Sequence, residues 1–91
     1  MITHFRNLEL KIFDETGESK FSKEHEFDLA ILLDMLDSAK KQSDMNIASL
    51  GEEYRYPDEK GHWSIPVYGR WCLTYTFDSK CDAIEVDHVE K

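Results

Sequence analysis

The chain has 91 residues, 41% hydrophobic and 12% aromatic, which suits one domain over residues 1–91 with one modest core. No stretch approaches the roughly 20 apolar residues that span a bilayer, and Met1-Ile2-Thr3-His4-Phe5-Arg6 has no apolar signal core or small-residue cleavage site, so a soluble cytoplasmic protein is expected. Nineteen acidic against 11 basic residues give a net charge of −8, divided evenly between residues 1–50 and 51–91. That balance argues against nucleic-acid binding, whose affinity comes largely from Lys and Arg on phosphate.

An extended start leads into a short amphipathic helix, with Leu8, Ile12 and Phe13 on one face and Gly17 ending the run. Ser22 then reads as an N-cap, and Glu24 and Glu26 fall in the first turn, where carboxylates oppose the positive end of the helix dipole. From there to about Lys41 the pattern is helical. Leu29, Leu32, Leu33 and Leu36 follow the i, i+3, i+4, i+7 rule, Phe27, Ile31 and Met35 widen the stripe, and Lys40 and Lys41 suit the helix's negative end.

Residues 42–62 carry turn signals and few apolar anchors, predicting a long connector with a short strand near Tyr54 to Tyr56. The remainder switches to period two. Strands are predicted over His62–Val67, Arg70–Phe77 and Asp82–Val89, joined by turns at Tyr68-Gly69 and Asp78–Cys81, and Pro66 marks an edge or bulge in the first. In the middle strand Trp71, Leu73, Tyr75 and Phe77 share one face, and Arg70, Cys72, Thr74 and Thr76 the other. The whole is an α+β arrangement, an N-terminal helical hairpin packed on a small antiparallel β-sheet.

Cys72 and Cys81 lie nine residues apart, far from any Cys-x-x-Cys spacing, and are expected to be reduced, half-buried strand thiols. No His, Asp and Glu spacing suggests a metal site, and no cofactor is expected.

The motifs Lys60-Gly61-His62-Trp63-Ser64-Ile65, Gly69-x-Trp71-x-Leu73-Thr74-Tyr75-x-Phe77 and Asp82-Ala83 resemble the HigB group of the RelE toxin superfamily. The N-terminal half fits too, through Met1-Ile2, Phe5, Leu10-Lys11, Phe13, Glu15-Thr16-Gly17, Leu36-Asp37, Ala39 and Asp44-Met45-Asn46. The resemblance covers nearly the whole chain and implies the toxin half of a toxin-antitoxin pair, with a helix-turn-helix antitoxin as partner. It also implies ribosome-dependent mRNA cleavage by attack of a 2′-hydroxyl on its phosphodiester. Such chemistry needs a base, a cation for the phosphorane and an acid for the leaving oxygen.

The family's His-Pro-Leu-Lys-Gly motif aligns with Glu53-Tyr54-Arg55-Tyr56-Pro57, so its His becomes Glu53 and its Lys becomes Tyr56. Related toxins of the YoeB type carry a glutamate base at the first position, which makes Glu53 the candidate base. The family's strand arginine is replaced by Cys72, a thiol that cannot steady a phosphorane as a guanidinium does. Arg70 and Arg55 are the candidate cations. The terminal Tyr-His of the family is not matched, and His88 is expected to be a surface strand histidine. His62 matches a structural position, while His4 and His25 have no assigned role. The expectation is a toxin-family protein with lost or altered mRNA cleavage, acting through protein binding. The alternative is an active endonuclease using Glu53, Arg55 and Arg70.

Overall fold

The computed structural model describes residues 1–45 and 61–90. Glu53, Arg55, the predicted strand near Tyr54 and most of the predicted connector lie outside them.

Helix α1 spans Leu8–Thr16. Asn7 caps it, its side chain accepting from the Leu10 N–H at 3.2 Å. Gly17 ends it with φ 79°, a left-handed conformation that carries no Cβ penalty in glycine, and returns its N–H to the Phe13 carbonyl. The face turned to the core differs from the expected one. Leu10 and Phe13 are buried, whereas Leu8 is 70% and Ile12 40% exposed. The short helix carries two apolar stripes, and only the one bearing Leu10 and Phe13 joins the core formed by the second helix and the sheet.

Helix α2 spans Lys23–Ser38. Ser22 caps it, accepting from the His25 N–H at 3.2 Å, and Glu24 and Glu26 occupy the first turn as expected. Leu29, Leu32, Leu33 and Leu36 are all buried. Phe27, expected to widen that stripe, points out and is 67% exposed, while Ile31 and Met35 are half-buried. The helix stops three residues short of Lys41, because the chain turns at Ala39 into a 3-10 turn over Gln42–Met45 that buries Ala39 and Met45 completely. Lys40 therefore lies outside the helix, and its N–H is held by the Asp44 carboxylate at 2.9 Å.

Three strands, β1 (Trp63–Tyr68), β2 (Trp71–Phe77) and β3 (Ala83–Glu90), form an antiparallel sheet in the order β1-β2-β3. The meander matches the period-two reading to within a residue at most strand ends. Gly69, with φ 57°, and Arg70 form the two-residue turn between Tyr68 and Trp71. The register slips between Pro66 and Tyr68, the irregularity that Pro66 marks in this outer strand. A second irregularity falls between Thr74 and Thr76, opposite Glu85, whose φ is 53°. The β2–β3 turn is held by the Asp78 carboxylate, which accepts from the N–H groups of Lys80 and Asp82 at 2.9 and 3.0 Å. Cys81 lies in that turn, exposed and with φ 65°, so it is not the half-buried strand thiol expected; Cys72 is buried on β2, and both are free.

The N-terminal segment runs beside β3 in parallel, bridging Ile2 to Ala83 and Phe5 to Val86. The Ile2 N–H reaches the Asp37 carboxylate of α2 at 2.9 Å, tying this segment to the helical layer. The core lies between helices and sheet, where the α2 leucines meet Ile65, Val67, Leu73, Tyr75, Ala83 and Val86.

Candidate functional site

Register separates the two sheet faces. Ile65, Leu73 and His88 lie across from one another on the helix side, while Pro66, Cys72 and Val89, with Ser64, Thr74 and Asp87, line the outer side. The outer side is where the resemblance sets the chemistry. Cys72, standing at the position of the family's arginine, is 7% exposed there.

Arg70 is not on β2. It is the second residue of the Gly69-Arg70 turn, exposed, so strand alternation does not carry it onto the outer face beside Cys72 as expected. The sharp turn at Gly69 is the physical reason. Of the predicted set Glu53, Arg55 and Arg70, Arg70 alone is among the described residues.

The turn that carries Arg70 stands on a cluster of five rings. Phe21 lies 4.2 Å from the His25 ring, 4.9 Å from Trp71 and 5.0 Å from His88; Trp71 lies 4.6 Å from His88, and Tyr68 5.3 Å from His25. Tyr68 and Trp71 flank the turn, so the cluster fixes its root. Within it the Nε2 atoms of His25 and His88 meet at 3.0 Å, both residues being at most 5% exposed. A contact of that length between imidazoles is a hydrogen bond in which one ring donates and the other accepts, which requires at least one neutral ring.

His88 is therefore not the surface histidine expected from sequence. Burial lowers its pKa to about 4, with His25 adding to the fall and Asp87 opposing it. His25 is lowered too, by burial against the opposing pull of Asp28. Both positions were in phase with the core. His25 precedes Leu29, Leu32 and Leu36 by four, seven and eleven residues, and His88 follows the fully buried Val86 by two on β3. A narrow cleft of about 190 Å³ opens beside His88 between Asn7, Lys20 and Trp71.

A second polar group lies near the start of β1. The Glu85 carboxylate holds His62 Nε2 at 3.0 Å, and the Glu85 N–H donates to His4 Nδ1 at 3.2 Å. These contacts support the unusual Glu85 backbone. Among the described residues no set of three or more His, Cys, Asp or Glu side chains is arranged to hold a metal ion. No described helix is long and apolar enough to cross a membrane.

Charge is split equally between the two halves of the chain but not between its elements. The segment Leu8–Ser38, which makes both helices, holds nine acidic and three basic residues, a net of −6 within a total of −8. The crowding is felt at Asp14, whose pKa is raised by burial first and then by Asp37 and Glu15. Between α1 and the start of α2 lies an open groove of about 450 Å³, walled by Ile12, Phe13, Phe21 and Leu29 and edged by Glu9 and Glu18.

Comparison with known protein families finds a match over residues 3–89 to the RelE-like toxin of the type II toxin-antitoxin system HigB. No curated protein matches the chain. Two N-terminal helices followed by a three-stranded antiparallel meander agree with a RelE-like fold, and the match takes in every described helix and strand but the last residue of β3. The chain belongs to the HigB-like family of RelE-type toxins, the toxin components of type II toxin-antitoxin systems.

Proposed function

We propose that this protein is a toxin-family component whose mRNA cleavage is lost or much altered and which acts by binding protein, as one HigB-like domain over residues 1–91. Its partner is an antitoxin with a helix-turn-helix domain, and its place of action is the cytoplasm. The observation that carries the reading is Cys72: a buried thiol occupies the outer-face position where the family has a guanidinium. The net charge of −8 supports it, since phosphate-rich ribosomal RNA would repel the chain during encounter.

The alternative is an active endonuclease with Glu53 as base and Arg55 and Arg70 as cations. It is favoured by the exposure of Arg70 on a well-supported turn, as a phosphate-binding cation requires. Inducible expression decides between them, with the wild type set beside Glu53→Ala and Arg70→Ala and ribosome-programmed mRNA examined for cuts. Uncut mRNA is expected for all three proteins. Growth arrest with cleavage that either substitution relieves would overturn the non-cleaving reading. Co-purification with the product of an adjacent helix-turn-helix gene tests the partner.

A further inference from the structure

We propose that the groove between α1 and α2 is the docking site for a basic segment of the partner polypeptide, one apolar side chain of which seats against Ile12 and Phe21. The proposal rests on the toxin-family reading and gives that partner a chemistry and a place.

Three observations converge on the groove. Its walls are apolar, with Ile12, Phe13, Phe21 and Leu29, and it is open to solvent, so part of this apolar surface stays wet in the isolated chain. Its apolar surface continues along α1, because Leu8 lies one turn before Ile12 and the two are 70% and 40% exposed. Its surroundings are acidic: Glu9 and Glu18 edge it, Glu15 follows Ile12 on α1, and the helical layer holds −6 of the total charge. The one basic residue on its rim, Lys20, is paired with Glu9 at 3.4 Å, so the rim itself carries a net −1 from Glu18 and the rest of the negative field comes from the surrounding helices.

An apolar slot with a negative border selects a segment that offers an apolar anchor between Lys or Arg residues. Nucleic acid has the wrong charge for this border. An acidic segment would set like charges against each other around the anchor. A second copy of the chain would bring its own acidic layer, with the same result. The site is also separate from the outer sheet face, since α1 and the first turns of α2 pack on the opposite side.

The test uses the full chain, isotopically labelled, titrated with a synthetic lysine–leucine amphipathic peptide of about 15 residues and with its glutamate–leucine counterpart. The expected result is binding of the lysine peptide alone. Amide shifts should centre on Glu9, Ile12, Glu18, Phe21 and Leu29, and affinity should fall as salt rises. Ile12→Ser should weaken binding about tenfold by removing the anchor contact. Phe27→Ser, which changes a still more exposed apolar residue outside the groove, should leave it unchanged. Equal binding of the two peptides, shifts centred on the sheet, or equal loss in both variants would overturn the proposal. Because Ile12 is exposed, circular dichroism of Ile12→Ser should match the wild type. Growth and mRNA assays on the same variants judge the toxin-family reading separately, so failure of the groove leaves that reading standing.

Discussion

Acidification should unlock the ring cluster beneath the Gly69-Arg70 turn. Unfolded, His88 titrates near 6.5; folded, at about 4. Between these values the unfolded chain binds the proton more readily, so stability falls with falling pH. It is fully present above pH 6.5 and wholly lost below 4. At about 1.36 kcal/mol for each pH unit, the loss from this group totals about 3 kcal/mol, of which about 2 kcal/mol is gone by pH 5. His25 is shifted in the same direction and adds to it. Urea unfolding at pH 7.5 and pH 5.0 measures the difference directly. The control is the double variant His25→Leu, His88→Leu, which replaces both partners by apolar groups and should cost little at pH 7.5. Its stability should fall less than that of the wild type between the two pH values. An equal fall in both proteins would refute the assignment and point to the carboxylates instead. Single His88→Leu should be worse than the double variant at pH 7.5, since it leaves the buried His25 Nε2 without its partner.

Three further outcomes follow from packing and exposure. Ser22→Ala removes the acceptor for the His25 N–H at the start of α2 and should cost about 1 kcal/mol in urea unfolding. Leu36→Ala empties a fully buried site between α2 and the sheet and should cost about 2–5 kcal/mol, enough to unfold part of the population at 37 °C and visible as a lowered Tm. Thiol titration of the native protein should label Cys81 rapidly and Cys72 slowly, with both reacting fast in denaturant. Equal native rates would place Cys72 at the surface.

The elements were legible because local signals and tertiary packing agree over most of the chain. Ser22, the leucines at 29, 32, 33 and 36, Gly17, Pro66 and the period-two meander each encode a constraint that the fold keeps. The faces of the shorter elements were less legible. Periodicity identified α1 as amphipathic but could not choose between its two apolar stripes, since that depends on where α2 lies. The end of α2 was set by burial of Ala39 and Met45, a tertiary gain that overrides the helix-favouring lysines. The alternation of β2 extrapolates back through Arg70, but the turn at Gly69 keeps Arg70 out of the strand, which starts at Trp71. His25 and His88 were in core phase, yet their pairing across 63 residues of sequence is a fact of packing that neither residue announces alone.

The sheet's margins carry a consequence for how this protein can be recognised. Beyond β3 the backbone groups are engaged by the Met1–Arg6 segment, through bonds such as Thr3 N–H to Ala83 at 2.9 Å and Arg6 N–H to Val86 at 2.8 Å. Beyond β1, Pro66 offers no donor and the neighbouring bulge disturbs the spacing that an added strand would need. Among the described residues, then, the sheet is a poor template for main-chain augmentation, the route by which an extended peptide adds itself to a neighbour's ladder. Recognition is directed to side chains, whose identity discriminates between ligands as a repeating backbone cannot.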